Sequence, residues 1–400
     1  MTTLCAFPSS GKKRPRSSGD GTLVAASLNQ DASKSVMPHF LNDPTTASIR
    51  TNMGRGLGLL VGGFALFGAI GSLIALSGSR GGRGSSPLAP AAANFRLLSS
   101  PYGDISQMDE NFASLLDPPD ALTETAVFFH VPKAGGSAME YMYGFCFDLT
   151  LATEVGGNPD FVQGIDSSQL SVFTTDWDVQ MVDVDTTSLD GLDRAKKLGL
   201  AQSGLADIIF TSYIHQAAKL FSPHYRGRVF TVMRHPVERA ASEFFYLQDA
   251  SWEGTYSPET KGWTIQQYAA SENAEHDWVT KQLLGTWQDL TENDLEKAKY
   301  ILEEKVLIGL IDRMEDSVDR FNRYFGWEES PDKIPCAEDM LGHKNGTGSN
   351  SHAHPKVLPD TPEWEALASI NRYDIQLYDF AVALFEEQGM LFEDPEDEAS

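Results

Sequence analysis

Cysteine is scarce in this chain, with only Cys5, Cys146 and Cys336 among its 400 residues. No two of them stand in a CxxC pair, which argues against a cysteine-based zinc site. Two alternatives stay open for Cys146 and Cys336. They pair if the C-terminal part of the chain lies in an oxidising lumen, or they are buried free thiols, because spacing alone does not give their distance in the fold.

Basic residues are also few, with 31 Lys and Arg against 56 Asp and Glu and a formal net charge of -25. They are unevenly spread. Residues 1–96 hold ten Lys or Arg and three Asp or Glu, whereas residues 97–400 hold 21 and 53. A segment this acidic opposes non-specific binding to nucleic acid, because phosphate contacts need clustered cations. We therefore expect no nucleic-acid partner.

Charge is missing altogether between Arg55 and Arg80, where residues 57–76 form the apolar run LGLLVGGFALFGAIGSLIAL. A helix of that length spans roughly 30 Å, the thickness of the hydrocarbon core of a bilayer. Gly58 and Gly62 form a GxxxG, which permits close helix packing in a membrane. A buried soluble helix is the alternative, but the glycines would weaken it in water. We predict a membrane span, too long and too far from the N-terminus for a cleaved signal.

The span divides the chain into four predicted parts. Residues 1–55 are a disordered basic tail, 56–79 the transmembrane helix, 80–120 a flexible stem rich in Gly, Ser, Pro and Ala, and 121–395 a catalytic domain. The arginines next to the span do not decide its orientation, although the wider basic tail favours a cytoplasmic N-terminus. A transit peptide is the alternative for that tail.

Short apolar segments alternate with helical patterns from about residue 121 onward. This alternation predicts an α/β fold with a central parallel sheet and helices on both faces. We see no internal repeats. The predicted strands are 126–131, 207–211, 229–233 and 306–310, and the predicted helices are 137–147, 236–248, 295–304, 315–325 and 363–388.

The first motif is PKAGGSA, which joins the strand ending at Val131 to a helix starting at Ser137. Its glycines let backbone N–H groups turn toward an anion, and the helix N-terminus favours a phosphate there. Lys133 adds a full positive charge. The motif is not a Walker A loop, in which the lysine follows the glycines. An ordinary strand-to-helix turn is the alternative.

The second motif is RHPVERAAS, in which a buried strand delivers Arg234 at its C-terminal end. Ligands bind at that edge of open α/β sheets, and arginine grips phosphate with two parallel N–H groups. Ser242 lies about two helical turns further on and offers a hydroxyl. The alternative is that Arg234 and Arg239 only form surface ion pairs with nearby acids such as Glu238 and Glu243, and for Arg239 this explanation is equally good.

Together the motifs resemble those of the sulfotransferases that use PAPS (3′-phosphoadenosine 5′-phosphosulfate), namely a PKTGGT/S-type loop and an R-[DN]-P-x-x-R-x-x-S segment. The closest resemblance is to membrane-bound glycan sulfotransferases of the heparan sulfate 2-O/6-O type. Two positions depart from the pattern: His235 stands where Asp or Asn is usual, and Ala134 where Thr is common. The resemblance covers roughly 125–388 and includes residues 263–285, 306–326 and 370–385.

This resemblance implies a three-layer α/β sulfotransferase fold with a P-loop-like PAPS site and no required metal. It also implies a single-pass type II protein of the Golgi membrane with a lumenal catalytic domain. Lys133 would contact the 5′-phosphosulfate and its bridging oxygen, and Arg234 and Ser242 would hold the 3′-phosphate. The loop donors to the 5′-phosphate would be Ala134, Gly135, Gly136, Ser137 and Ala138.

Sulfuryl transfer also needs a base for the acceptor hydroxyl, and histidine suits this near neutral pH. His215 is the first candidate, since it follows the predicted strand 207–211 and matches a histidine placed similarly in the family. A helix-capping role is its alternative. His130, just before the first motif, is the second candidate and could equally be a buried, hydrogen-bonded residue. His343, His352 and His354 lie in a Gly/Ser/Asn-rich loop that we read as substrate-side rather than as a metal site.

The resemblance implies a carbohydrate acceptor, and the acidity of residues 97–400 bears on which one. A domain so negative should repel a strongly sulfated polyanion, because its few clustered cations outside the motifs are Lys196, Lys197, Arg226 and Arg228. We expect a neutral or weakly charged glycan. The sequon at Asn345 would be glycosylated if that loop is lumenal. The oligomeric state is open, with a homo-oligomer as one option.

Three alternatives remain. A P-loop-like kinase or NTPase would need a lysine after the glycines and an acidic strand end for magnesium. A non-catalytic membrane-anchored binding protein on the same fold would not need Lys133, Arg234, Ser242 and His215 all to be intact. A tyrosyl-protein sulfotransferase acts on acid-rich peptides, which match an acidic domain poorly.

Overall fold

The computed structural model describes residues 105–251, 253–327, 334–341 and 354–392. The predicted tail 1–55, the membrane helix 56–79 and the stem up to residue 104 lie outside these ranges, as do His343, His352 and Asn345. No helix within the described ranges is long and apolar enough to cross a membrane.

One central sheet of seven strands organises the described residues. Its order is β3-β4-β2-β5-β1-β6-β7. Neighbouring strands run parallel, except that β3 is antiparallel to β4. The strands are β1 (Glu124–Phe129), β2 (Leu151–Ala152), β3 (Val172–Thr174), β4 (Gln180–Val182), β5 (Ile208–Thr211), β6 (Arg226–Met233) and β7 (Val306–Leu310).

Fourteen helices accompany the sheet in the same ranges, and a π-helical turn, Met142–Cys146, follows the second of them. In chain order they are α1 (Ser106–Asn111), α2 (Gly136–Tyr141), α3 (Pro159–Val162), α4 (Leu189–Leu198), α5 (Leu200–Ser203), α6 (Ile214–Ala217), α7 (Pro236–Tyr246), α8 (Ile265–Ala269), α9 (Trp278–Leu284), α10 (Glu292–Lys305), α11 (Met314–Phe325), α12 (Ile334–Leu341), α13 (Pro362–Ile370) and α14 (Arg372–Glu387).

Strand β1 shows why the fold has three layers. Its residues alternate between the two faces of the sheet: Val127 and Phe129 join a buried cluster with α9, α10 and α14, while Ala126 and Phe128 join another with α2, α11 and α12. Residues 126–129 of this strand are buried on both faces, and all four are apolar, as expected of a strand inside a parallel sheet. The predicted parallel sheet with helices on both faces is confirmed.

The C-terminal helix predicted over 363–388 is wrong in one respect, because the structure breaks it at Asn371. The Asn371 side chain donates from Nδ2 to the carbonyl of Leu367 at 2.9 Å, which competes with continuation of α13. Helix α14 then starts afresh, with Asp277 Oδ1 accepting the N–H groups of Tyr373 and Asp374 at 2.7 and 3.0 Å. A side chain from another part of the chain thus caps α14.

The folded part begins earlier than residue 121, inside the stretch 80–120 that the sequence predicted as a flexible stem. Helix α1 lies within that stretch, and Phe112 directly after it is 1% exposed. Lys305 holds the segment by donating to the carbonyls of Asp109 and Phe112 at 2.9 and 3.3 Å. This segment is held in place by residues that are distant in sequence, such as Lys305. The composition of the segment alone does not reveal those contacts.

The two cysteines of the described residues form a disulfide. Cys146 ends the π-helical turn, and its Cα lies 5.7 Å from that of Cys336 in α12. Of the two alternatives for this pair, the structure has the bonded one. The bond attaches α12 to the element that follows the glycine loop of the first motif.

Candidate active site

The glycine loop of the first motif lies between β1 and α2, and its backbone makes two left-handed turns. Lys133 has φ 65° and Gly135 has φ 89°. Glycine adopts this conformation freely, whereas for lysine it costs about 1–3 kcal/mol and persists only when neighbouring groups hold it. The N–H groups of Ala134 and Ala138 bond within the loop, to Val131 and Gly135, so these two predicted donors are used internally.

Two glycines let the loop fit closely between its neighbours. A Cβ on Gly136 would lie 2.1 Å from the ring atoms Cδ2 and Nε2 of His130. A Cβ on Gly135 would lie 3.0 Å from Cε of Met314, at the start of α11. The loop is therefore clamped between the His130 ring and the first turn of α11.

Arg234 joins the second motif to the first. Strand β6 lies next to β1 and runs parallel to it, so both strands end at the same edge of the sheet. The Arg234 guanidinium donates from Nη1 to the carbonyl of Lys133 at 3.1 Å, and its Nε lies 3.5 Å from Glu238. A single hydrogen bond therefore fixes the left-handed lysine to the arginine of the other motif.

Two further polar residues of the second motif, Arg239 and Ser242, are buried in α7. Ser242 is 6% exposed and Arg239 is 1% exposed. The surface ion pair considered for Arg239 is wrong: its guanidinium pairs with Glu275 at 3.2 Å and lies over the Trp278 ring. Burial works to lower the pKa of Arg239, but Glu275 and other carboxylates outweigh it and raise that pKa. Arg239 therefore has a structural role in joining α7 to α9.

The Lys133 ammonium is held over an aromatic ring. Its Nζ lies 3.6 Å from the centre of the Tyr246 ring, on the last turn of α7. Burial lowers the pKa of Lys133, and Arg234 acts in the same direction, while Glu243 and Glu253 oppose both. In turn, burial and Glu275 raise the pKa of Glu243 to about 7, although Arg239 and Lys133 counteract them. The cations at this edge thus have carboxylates as close neighbours.

Two further carboxylates, which the sequence reasoning missed, lie at the same edge. Glu140 is in α2, one turn after the glycine loop, and Glu154 lies two residues after the end of β2. Burial and the neighbouring Glu154 raise the pKa of Glu140 well above its usual range. Burial also raises the pKa of Glu154, with Asp185 and Glu253 adding to the effect. Their signal in the sequence was faint, because β2 has only two residues.

Of the candidate bases, His130 is mostly buried, and it is fixed through its backbone. Its N–H donates to the carbonyl of Thr211 at 2.8 Å, and its carbonyl accepts from the Ser212 hydroxyl at 2.7 Å. Burial lowers the pKa of His130 to about 4, so its ring is neutral at physiological pH. This neutral ring supports the loop at Gly136.

His215, the first candidate base, lies in α6 after β5, as the sequence predicted. Its ring lies against Gly285 at the end of α9, where a Cβ would come within 2.7 Å of two ring atoms. The structure therefore gives His215 a packing partner in α9, and its role as a base stays a prediction.

His235, the departure from the family pattern, caps α7. Its Nδ1 accepts the N–H of Val237 at 3.3 Å, and its ring contacts Trp364 and Tyr378. Burial lowers the pKa of His235, which keeps Nδ1 available as an acceptor. Asp or Asn would cap the helix in the same way, so the substitution preserves the local structure.

The histidine-rich loop is described only from His354 onward, and that ring stacks on Phe245 of α7 with centroids 5.0 Å apart. Within the described ranges, no group of three or more His, Cys, Asp or Glu side chains could hold a metal ion.

Comparison with known proteins adds little to this description. No protein-family profile matches the chain, and no curated protein does either. Among solved structures, the chain is similar to the mouse sulfotransferase SULT7A1 complexed with PAP. That match covers 74% of this chain and 96% of the other, at 12% identity and a TM-score of 0.35. This similarity is too weak to support a conclusion about the site.

Proposed function

We propose that this chain is a PAPS-dependent sulfotransferase that moves a sulfuryl group to a hydroxyl of a carbohydrate acceptor. The observation that carries the proposal is the hydrogen bond from Arg234 to the carbonyl of Lys133. It brings together two motifs that are 101 residues apart in sequence and that resemble, as a pair, the phosphate-binding motifs of these enzymes. Neither motif alone would distinguish this function from an ordinary strand-to-helix turn.

The donor groups at this edge fit an anion with two separated phosphates. Lys133 offers an ammonium, Arg234 a planar guanidinium, and the loop offers backbone N–H groups and the Ser137 hydroxyl. The co-substrate supplies an activated sulfuryl group joined to a 5′-phosphate. Lys133 would stabilise the negative charge that develops on the bridging oxygen, and Arg234 would hold the 3′-phosphate. Ser242 is buried in α7, whereas Lys133, Ser137 and Arg234 are half-buried.

The reaction asks the protein for one proton acceptor. The acceptor hydroxyl gives its proton to a base, its oxygen bonds to sulfur, and the bond from sulfur to the phosphate oxygen breaks, releasing PAP. His215 is the base that the sequence indicated. Glu154 is a further candidate base, since a raised pKa makes a carboxylate a stronger proton acceptor.

The clustered cations outside the two motifs are consistent with a neutral or weakly charged acceptor. Arg226 pairs with Asp117 and Glu124, and Arg228 is 3% exposed and also pairs with Glu124. The charges of these two arginines are therefore already paired with carboxylates of the same chain. Of the four clustered cations outside the motifs, only Lys196 and Lys197 are exposed, at the end of α4. A long sulfated polyanion would meet few free cations and several carboxylates.

The disulfide supports the proposed compartment. Bonds such as that between Cys146 and Cys336 persist in oxidising environments, which include the lumen of the secretory pathway. Together with the apolar run 57–76, this supports a single-pass type II protein of the Golgi membrane with a lumenal catalytic domain.

Sulfate transfer from radiolabelled PAPS to a panel of neutral and sulfated glycans tests the proposal. The full chain is expected to label a neutral or weakly charged glycan, to lose that activity in Lys133→Ala, and to keep it in EDTA. Sensitivity to EDTA together with phosphate transfer from ATP would favour the kinase or NTPase alternative. Binding of PAP with no transfer to any glycan or tyrosine peptide would favour the non-catalytic binding protein.

A further inference from the structure

The side chain of Lys133 is held by a residue outside both motifs. Its Nζ lies 3.6 Å from the ring centre of Tyr246. Tyr246 ends α7, the helix that starts two residues after Arg234. Helix α7 therefore has both groups that contact Lys133 close to it. Arg234, which donates to the Lys133 carbonyl, precedes the helix, and Tyr246, whose ring contacts the Lys133 ammonium, ends it. Backbone and side chain of this lysine are fixed from one structural unit.

The Tyr246 ring is itself fixed at both ends. Its Cα belongs to the last turn of α7, and its hydroxyl donates to Oε1 of Glu253 at 2.5 Å. Glu253 lies in a tight turn after the helix, where its N–H bonds to the carbonyl of Ala250 at 3.1 Å. A ring anchored in this way cannot swing away from the lysine without breaking the bond to Glu253.

The contact replaces part of the hydration that Lys133 loses on burial. An ammonium is attracted to an aromatic face, and more strongly when it is desolvated. A free lysine side chain also has rotamer entropy that must be lost when it binds an anion, and the contact with the ring removes part of that entropy beforehand. The ring contacts one side of the ammonium, which has three N–H donors and can turn the others toward an anion.

We propose that Tyr246 is a positioning residue, which holds the Lys133 ammonium beside the glycine loop before the sulfuryl donor arrives. Tyr246 acts through the lysine and does not itself contact the donor. The inference rests on the proposed function in that Lys133 is taken to contact the 5′-phosphosulfate.

A double-mutant cycle tests this role in the full chain, with PAP affinity measured by calorimetry and kcat and KM measured with PAPS. Tyr246→Leu is expected to weaken PAP binding and to lower kcat/KM for PAPS by roughly tenfold. Tyr246→Phe keeps the ring but loses the bond to Glu253, so it should lose less affinity than Tyr246→Leu and stay within roughly threefold of the wild type. In a Lys133→Ala background, Tyr246→Leu should have no further effect, because there is no ammonium left to hold.

A purely structural role for Tyr246 would give a different result, namely the same loss from Tyr246→Leu in both backgrounds. That result would overturn the inference, and so would wild-type affinity in Tyr246→Leu or an equal loss in Tyr246→Phe. Unchanged far-ultraviolet circular dichroism and melting temperature in each variant establish that the comparison is between folded proteins.

A second measurement does not depend on PAP. Reductive methylation with carbon-13 formaldehyde labels the lysines, and the Lys133 signal is assigned from its loss in Lys133→Ala. Because the methylated amine lies over the ring, its signal should be shifted upfield in the wild type and in Tyr246→Phe. In Tyr246→Leu the signal should return to the position of the other lysines. No difference between these proteins would overturn the inference, whereas an upfield signal in a protein that does not bind PAP would overturn the proposed function alone.

Discussion

The guanidinium of Arg234 donates a hydrogen bond to the carbonyl of Lys133, whose own backbone is left-handed. The bond links the ends of two adjacent parallel strands, β1 and β6. It has two consequences at once. It stabilises an unfavourable backbone conformation of the lysine, and it fixes the guanidinium beside the glycine loop at the carboxyl edge of the sheet.

Replacing Arg234 should therefore harm both binding and loop geometry. Arg234→Ala is expected to weaken PAP binding roughly 50-fold, in the range for loss of a hydrogen bond to a charged group. Arg234→Lys keeps the charge but loses the planar pair of donors, so it should recover only part of the affinity. Calorimetric titration with PAP measures both. Arg323→Ala, which removes the same charge from the exposed face of α11, is the control and should bind as the wild type does.

Glycine at position 136 is required because the His130 ring occupies the space of a side chain. Gly136→Ala places a Cβ 2.1 Å from that ring, so it should displace either the ring or the loop and lower the melting temperature. The double variant Gly136→Ala with His130→Ala removes the clash and should be more stable than Gly136→Ala alone. Thermal unfolding of the three variants measures this. A double variant as unstable as the sum of the two singles would contradict the close contact.

PAP binding should depend on pH through Glu243, which faces Lys133, Arg239, Glu253 and Glu275. Burial and Glu275 raise the pKa of Glu243 to about 7. A polyanion bound nearby would raise that pKa further, so Glu243 would take up a proton when PAP binds. The affinity for PAP should therefore increase as pH falls from 8 to 6. Glu243→Gln is uncharged at every pH and should flatten this dependence. Calorimetry across the pH range measures the slope, and an unchanged slope in the variant would contradict this explanation.

The base can be assigned by comparing two conservative substitutions. Loss of a general base typically lowers the rate by about 10²–10⁴-fold. If His215 is the base, His215→Asn should show that loss while Glu154→Gln stays active. If the carboxylates at the edge of β2 take the proton, the reverse should hold. In either case the rate at saturating PAPS should fall with acid in the active protein, because the base is then protonated. If neither substitution lowers the rate, the base lies elsewhere.

The bond between Cys146 and Cys336 should contribute to stability because it closes a long loop, with a sequence separation of 190. Its removal in Cys336→Ser should cost about 2–5 kcal/mol of unfolding free energy. Denaturant unfolding with and without reductant measures this. Cys5→Ser changes the cysteine outside the described residues and should have no effect. Peptide mapping without reduction that finds Cys146 and Cys336 as free thiols would contradict the bond.

The sequence predicted those parts of the fold whose signal is local. Strands β1, β5, β6 and β7 are short apolar runs, and each is found close to its expected place. Strands β2, β3 and β4 were missed, since two or three residues are too few to show a period. The break at Asn371 was also missed, because the cap from which α14 restarts comes from Asp277, which lies far away in sequence.

The same distinction applies to the site. Lys133 and Arg234 could be placed from their strands, since parallel strands end at a common edge. Their hydrogen bond could not, because it depends on the left-handed backbone at Lys133. Glu140, Glu154 and Tyr246 were invisible as functional residues, because only packing against distant elements buries the carboxylates and brings the ring to the lysine.

Recognition of the 3′-phosphate is the central claim, and calorimetric titration of the full chain with PAP and with ADP tests it most directly. PAP carries the 3′-phosphate assigned to Arg234 and Ser242, and ADP lacks it. The wild type should bind PAP at least tenfold more tightly than ADP, about 1.4 kcal/mol, and Arg234→Ala should lose most of that difference. Equal affinity for PAP and ADP, or no binding of PAP, would contradict the assignment of this edge as a PAPS site.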